Sequence, residues 1–171
     1  MLDLNMKNLR ADILSRELQT LLNSLFERYR VYSLSKRYDN LSLWAKYAGN
    51  HSGYCLEFNN EGPLFGSARE VTYCDELGQL DVTNREALNG WWLFSKTREW
   101  SGEEEVRLLG SPGAPSKVQI DPRWLNRIIL GWKMPELQRA QIREWARERN
   151  PKLAVVSAHY DAIERVLKLT A

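Results

Sequence analysis

Residues 31–58 read VYSLSKRYDNLSLWAKYAGNHSGYCLEF. Positions 31–35 alternate between apolar and polar side chains, a pattern that predicts a half-buried strand. Asn40 or Ser42 is a suitable N-cap for a short aromatic helix that follows the turn. Residues 54–58 have the composition of a second strand. This stretch therefore predicts a strand, a helix and a strand in immediate succession.

The first 30 residues have a different pattern, in which leucines dominate. Apolar side chains recur at spacings of three and four over residues 4–29, with charged residues between them. This spacing predicts an amphipathic helix. Such a helix either covers its own sheet or presents an apolar face through which the protein forms homo-oligomers or binds a partner.

The rest of the chain alternates between predicted strands and helices without a repeat or a linker. Helices are predicted from Thr83 or Asn84 to about Ser95 and over residues 135–149. Strands are predicted at 69–74, 104–109, 118–120, 127–132, 153–158 and 163–169. We therefore expect one α+β domain over residues 1–171, with a mostly antiparallel sheet and flanking helices.

Composition excludes several classes of protein. The chain has 171 residues, 43% hydrophobic and 27% charged, as in ordinary globular proteins. Its formal net charge is +2 with both signs interleaved, so a nucleic-acid partner is not indicated. We expect no membrane span, because no apolar run approaches the ~20 residues required. No signal peptide is recognisable at the N-terminus, which predicts a cytoplasmic location.

Residues 96–107, KTREWSGEEEVR, concentrate ionisable side chains. If this segment is a strand, Glu103, Glu105 and Arg107 share one face. Two carboxylates about 7 Å apart on one pleat, beside a guanidinium, could bind a polyol such as ribose or stabilise a developing cation. The alternative is a solvated strand edge whose charges form cross-strand ion pairs.

Other residue sets are weaker candidates for a site. Trp44 and Tyr47 could stack on a planar ring, but their helical spacing favours burial in the core. Cys55 and Cys74 are expected to be reduced thiols, although a bridge between them stays open. We expect no metal site, because no Cys/His cluster has ligand spacing. The arginines of the last helix alternate with glutamates and are predicted to form a solvated face: Arg139, Arg143, Arg147 and Arg149.

Three ordered segments resemble the bacterial family called domain of unknown function 2971. The first is S-x-S-x-x-x-D-N-x-x-x-W-x-x-Y-A-x-x-x-x-G-x-C-x-x-F from Ser33 to Phe58, and the second is K-x-x-x-W-x-x-E-x-E-x-R from Lys96 to Arg107. The third begins at Ile128 and continues through a predicted helix. The resemblance covers residues 31–171, whereas residues 1–30 lack the Tyr/Arg-rich strand with which family members usually open.

The same segments are also similar to ADP-ribosyltransferases, which implies an α+β fold of that type and NAD as co-substrate. By this similarity Glu105 is the catalytic carboxylate that contacts the nicotinamide ribose, and Glu103 orients the acceptor. The remaining cofactor contacts that the similarity implies are Ser33, Ser35, Trp44 and Arg107.

The resemblance implies an NAD-dependent, ADP-ribosyltransferase-like activity in a bacterial toxin or phage-defence setting. The alternative is a non-catalytic module of the same fold that binds a nucleotide or a partner protein. The similarity to ADP-ribosyltransferases predicts that Ser35 and Glu105 lie on neighbouring strands and face one cleft. Trp44 or Trp100 is expected on the wall of that cleft.

Overall fold

The computed structural model describes residues 15–17, 19–20, 23–24, 27, 29–78, 91–110, 113–115 and 117–170. The chain divides into two compact units, one of Met1–Tyr32 with Leu109–Val118 and one of Ser33–Leu108 with Gln119–Ala171. In the first unit, the described residues between 15 and 27 are helical, as predicted for them. Residues 4–14 of that predicted helix lie outside the described residues.

Nine strands and two α-helices are assigned in the part of the chain from residue 29 onward that the structure describes. The helices are α1 (Leu41–Tyr47) and α2 (Glu136–Arg149). The strands are β1 (Arg30–Ser35), β2 (Tyr54–Phe58), β3 (Arg69–Glu70), β4 (Thr72–Cys74), β5 (Ser95–Thr97), β6 (Glu105–Gly110), β7 (Leu125–Leu130), β8 (Ala154–Asp161) and β9 (Val166–Thr170). Short 3-10 helices lie at Phe65–Ser67, Trp91–Phe94, Arg98–Glu103 and Pro122–Trp124.

The largest sheet has the order β2-β7-β8-β9. Strand β2 is antiparallel to β7, and β8 is antiparallel to β9. Strand β7 runs parallel to β8, and α2 makes the crossover between them. The other sheets are β1-β6-β3 and the parallel pair β4-β5. The chain is therefore α+β with mixed sheets, which confirms the predicted class. No described helix has both the length and the apolar content that a membrane span requires.

Several predicted elements differ from the structure. The strand predicted at 69–74 is interrupted at Val71, which is buried and donates its backbone N–H to the Glu105 carbonyl. Residues 118–120 are not a strand, because this Val-Gln-Ile segment lies directly before a turn capped by Asp121. Residues 83–90 of the predicted helix lie outside the described residues, Trp91–Phe94 form a 3-10 helix, and Ser95 already belongs to β5.

Helix α1 packs on one face of the large sheet through Trp44. Its ring is buried against Ile129, Ala158 and Leu167, and its indole N–H donates to the Tyr38 carbonyl at 2.5 Å. The cap of α1 is Asn40, whose side-chain oxygen accepts from the backbone N–H groups of the first turn. Trp44 is thus a core residue, as its helical spacing predicts.

The predicted burial of Tyr47 is wrong. Its side chain is 75% exposed. Three residues correspond to roughly 300° of helical rotation, so Tyr47 lies to one side of the stripe that Trp44 buries.

Two arginines of helix α2 form hydrogen bonds with the large sheet and the residue that follows strand β7. Arg139 and Arg143 each donate to the Ser157 hydroxyl at 3.0 Å. Arg139 also donates to the Gly131 carbonyl, and Arg143 to that of Val155. The predicted solvated face is therefore wrong for these two arginines, because residues four apart share one helix stripe and their long stems reach the strand oxygens.

Candidate functional site

The segment from Lys96 to Arg107 folds as a strand, a 3-10 turn and a second strand. The turn ends at Glu103, and Glu104 then adopts left-handed backbone angles, φ 43° and ψ 51°. Strand β6 begins only at Glu105. The prediction that Glu103, Glu105 and Arg107 share one strand face is therefore wrong for Glu103, because the left-handed residue separates it from the strand.

The two carboxylates nevertheless meet at a common cation. The Lys96 ammonium lies 2.6 Å from Glu103 Oε2 and 3.2 Å from Glu105 Oε2. Both acids are buried, with Glu103 9% and Glu105 6% exposed. A buried carboxylate is stable in its charged form only when it has charged or hydrogen-bonding partners. Lys96 supplies such a partner to both.

Glu105 has further partners that bind both of its oxygens. Arg107 donates from Nε to Oε1 at 2.7 Å and from Nη2 to Oε2 at 3.0 Å, which is a bidentate pair. Burial by itself would raise the pKa of Glu105. Hydrogen bonds from Arg107, Ser33 and Lys96 outweigh burial and lower the pKa to about 2. Glu105 is therefore ionised at neutral pH.

Glu103 is less fully bound than Glu105. Its Oε1 lies 3.5 Å from the Lys46 ammonium, a longer contact than any at Glu105. Lys46 and Lys96 both lie over the Trp100 ring, at 4.2 and 4.9 Å from its centroid. Burial opposes the charge of Lys96, but its bonds to the two carboxylates raise its pKa overall. The Trp100 ring positions the two ammonium groups, and these in turn pair with Glu103.

Backbone contacts fix the turn that carries these acids. The Ser35 hydroxyl donates to the Glu103 carbonyl at 2.8 Å, and the Asn40 amide donates to the Gly102 carbonyl at 2.5 Å. The backbone N–H of Glu105 donates to the Tyr73 hydroxyl at 2.9 Å. Because several elements hold the turn, the carboxylates are preorganised.

A cavity of about 470 Å³ lies over this cluster. Strands β1 and β6 are neighbours in one sheet, and Ser35 and Glu105 both line this cavity. The polar side chains that line the cavity include Ser33, Ser35, Lys96, Glu103, Glu105 and Arg107. Its aromatic wall is formed by Tyr38, Tyr47 and Tyr54. We refer to this space as the carboxylate cavity.

The structure separates Trp44 from the other predicted site residues. Trp44 is 4% exposed in the core, and neither Trp44 nor Trp100 lines the carboxylate cavity. Tyrosines occupy the wall where a tryptophan was expected. Sequence reasoning also missed Lys96 as a site residue. Lys96 lies seven positions before Glu103 in the sequence. This spacing brings the Lys96 ammonium close to the Glu103 carboxylate only because of the turn between them, which the sequence pattern does not predict.

A second cavity of about 600 Å³ adjoins the first. The two cavities share Ser35, Arg37 and Tyr38 among their lining residues. Amide side chains line the second cavity at Asn59 and Asn126. Acidic, basic, amide and aromatic side chains line the two cavities.

No group of three or more potential metal-ligating side chains occurs among the described residues. Comparison of the chain with models of protein families, with curated proteins and with solved structures finds no match. The resemblance to domain of unknown function 2971 and the similarity to ADP-ribosyltransferases therefore stay predictions from the sequence motifs.

Proposed function

We propose that this chain binds a ribose-containing nucleotide in the carboxylate cavity, with NAD as the first candidate ligand. The observation that carries the proposal is the position of Glu105, ionised and held beside Ser33 at the wall of the cavity. Arg107, Lys96 and Ser33 already donate to the oxygens of Glu105, so one ribose hydroxyl replaces the Ser33 contact. The adjacent ribose hydroxyl donates to Glu103 Oε1, whose described contact is the longer one to Lys46 at 3.5 Å. A hydroxyl such as that of Ser33 can both donate and accept.

The adjoining cavity supports a ligand longer than a sugar. Asn60 and Asn126 carry amides, which can pair with the polar edge of a base. The Asn59 amide is already bonded to the Arg123 carbonyl, to Asn126 Oδ1 and to the backbone N–H of Glu61.

Arg37 lies in the shared wall, where its guanidinium pairs with Asp39 at 2.7 Å and with Glu104 at 3.2 Å. In NAD, two phosphates join the nicotinamide riboside to the adenosine, so a ligand whose nicotinamide ribose occupies the carboxylate cavity extends its adenine toward the amides of the second cavity.

A second candidate function is NAD cleavage of the ADP-ribosyltransferase type. It is favoured by Glu103, whose Oε1 has only the 3.5 Å contact with Lys46 and so retains capacity to orient an acceptor. In this reaction the ribose–nicotinamide bond breaks, nicotinamide leaves with the bonding electrons, and the negative charge of Glu105 stabilises the cationic ribosyl centre. Arg107 offsets part of that charge through its bidentate pair, so binding is the primary proposal.

The test is calorimetric titration of NAD into wild type, Ser33→Ala, Glu105→Gln and a matched control, Glu99→Gln. Glu99 lies in the 3-10 turn that carries Glu103, but it is exposed, accepts from the Thr97 hydroxyl at 2.9 Å and lines neither cavity. We expect wild type and Glu99→Gln to bind equally. Both cavity variants should bind about tenfold more weakly, the effect of losing one hydrogen bond with a charged partner.

Release of nicotinamide separates the two candidate functions. If the chain cleaves NAD, Glu105→Gln should lose ~10²-fold or more of the rate at unchanged melting temperature, as when one preorganised stabilising group is removed. Turnover that survives Glu105→Gln would reject Glu105 as the catalytic carboxylate. Binding without turnover would leave only the binding proposal, and failure of wild type to bind NAD, ADP-ribose or AMP would reject both.

A further inference from the structure

An apolar groove lies between edge strand β2 and helix α2. Its volume is about 610 Å³. Alternate residues of β2 form one wall, and one stripe of α2 forms the other. The side chains that these two elements contribute are Tyr54, Leu56, Phe58, Ile142, Trp145, Ala146 and Arg149. We refer to this feature as the α2 groove.

Large apolar side chains around the α2 groove remain exposed. Tyr54 is 55%, Leu56 38%, Ile120 36% and Trp145 53% exposed. Contiguous apolar surface of this kind marks sites for ligands or partners in soluble proteins. The concave shape and the volume fall within the range of small-molecule sites, about 300–1,000 Å³.

Arg149 is the charged residue among those that line the groove. It lies in the last turn of α2, and no carboxylate of the described residues pairs with it. An apolar wall with one unpaired guanidinium at the helix end is complementary to a ligand with an apolar body and one anionic group. A carboxylate matches the guanidinium in geometry as well as in charge.

We propose that the α2 groove binds an anionic amphiphile, an unbranched hydrocarbon chain that ends in a carboxylate. The chain lies against Leu56, Ile142 and Trp145, and the carboxylate pairs with Arg149. The apolar part contributes through burial, about 25 cal/mol for each Å² removed from water. The head group contributes orientation and a charge-assisted hydrogen bond. The groove shares Tyr54 and Leu56 with the carboxylate cavity, whereas Trp145 and Arg149 line the groove and not that cavity.

Decanoate below its micelle concentration is a suitable probe, with decanol as its uncharged counterpart. Binding to the full chain is measured by calorimetry in wild type, Arg149→Gln, Trp145→Ala and Arg147→Gln. Arg147 is the matched control because it lies in the same helical turn, is exposed and does not line the groove. We expect Arg149→Gln to weaken decanoate about tenfold and leave decanol unchanged, and Trp145→Ala to weaken both.

Three results would overturn the proposal. The first is an absence of decanoate binding to wild type. The second is an equal loss of affinity in Arg147→Gln and Arg149→Gln, which would show a diffuse charge effect rather than a pair at the groove. The third is a dimer in sedimentation velocity that Trp145→Ala dissociates, since the groove would then bind a second copy of the chain. NAD titration of the same variants should be unchanged, which keeps this test independent of the nucleotide proposal.

Discussion

Trp44 and Glu105 are both buried, but different forces stabilise the core around Trp44 and the charged cluster around Glu105. Trp44 packs on Ile129, Ala158 and Leu167, and its one polar atom donates to a carbonyl. Glu105 is equally buried but depends on Arg107, Lys96 and Ser33 for its charge. Apolar contacts are non-directional, whereas each contact of Glu105 requires a particular atom at a particular distance.

This difference predicts how each region responds to change. Loss of an apolar side chain leaves a void, and its cost is independent of pH. Loss of one partner in a charged cluster leaves the other charge buried without a compensating partner, which is unfavourable. The Trp44 core should therefore resist acid, while the Glu105 cluster should not. The experiments below test this contrast, from the largest expected effect to the smallest.

Trp44→Ala should lower the free energy of unfolding by about 3–5 kcal/mol, the range for a buried aromatic side chain. Tyr47→Ala is the control, because Tyr47 lies in the same helix and is 75% exposed. Its effect should be below about 0.5 kcal/mol. Urea denaturation at neutral pH measures both. Equal effects in the two variants would contradict the assignment of Trp44 to the core.

Acid should weaken the Glu105 cluster. The pKa of Glu105 is about 2 in the folded chain and about 4.5 for an ordinary glutamate. Its contribution is therefore complete above pH 4.5 and is lost as the pH falls toward 2, with a total of about 3 kcal/mol. The free energy of unfolding should fall less steeply over this window in Glu105→Gln than in wild type. Identical slopes would show that Glu105 has no special stabilisation in the folded chain.

Lys96→Met should cost about 2 kcal/mol, because it removes a hydrogen bond to each of two buried carboxylates. Lys36→Met is the matched control, since Lys36 pairs with Glu70 at 3.0 Å while both side chains are largely exposed. That exposed pair should contribute less than about 1 kcal/mol. Thermal denaturation of both variants checks the difference. A larger cost for Lys36→Met would reverse the proposed ranking of the two ion pairs.

The local elements near Trp44 could be predicted because their signals are local. Alternation over residues 31–35, the Asn40 cap and the Trp44 spacing each depend on neighbours within about one helical turn. The position of Tyr47 could not be predicted in this way, because the extent of the buried stripe depends on the sheet beneath it. The predicted strand at 118–120 is wrong for a related reason, since two apolar residues on either side of Gln119 do not distinguish a strand from an extended loop.

The sequence by itself determined the α+β class, the order of β1, α1 and β2, and the concentration of charge between Lys96 and Arg107. Only the tertiary structure decided that Glu103 leaves the strand through the left-handed Glu104 and still meets Glu105 at Lys96. Periodicity is a local property that side-chain pattern encodes directly. The convergence of charges from a turn and two strands depends on long-range pairing, and one residue of irregular backbone changes which atoms meet.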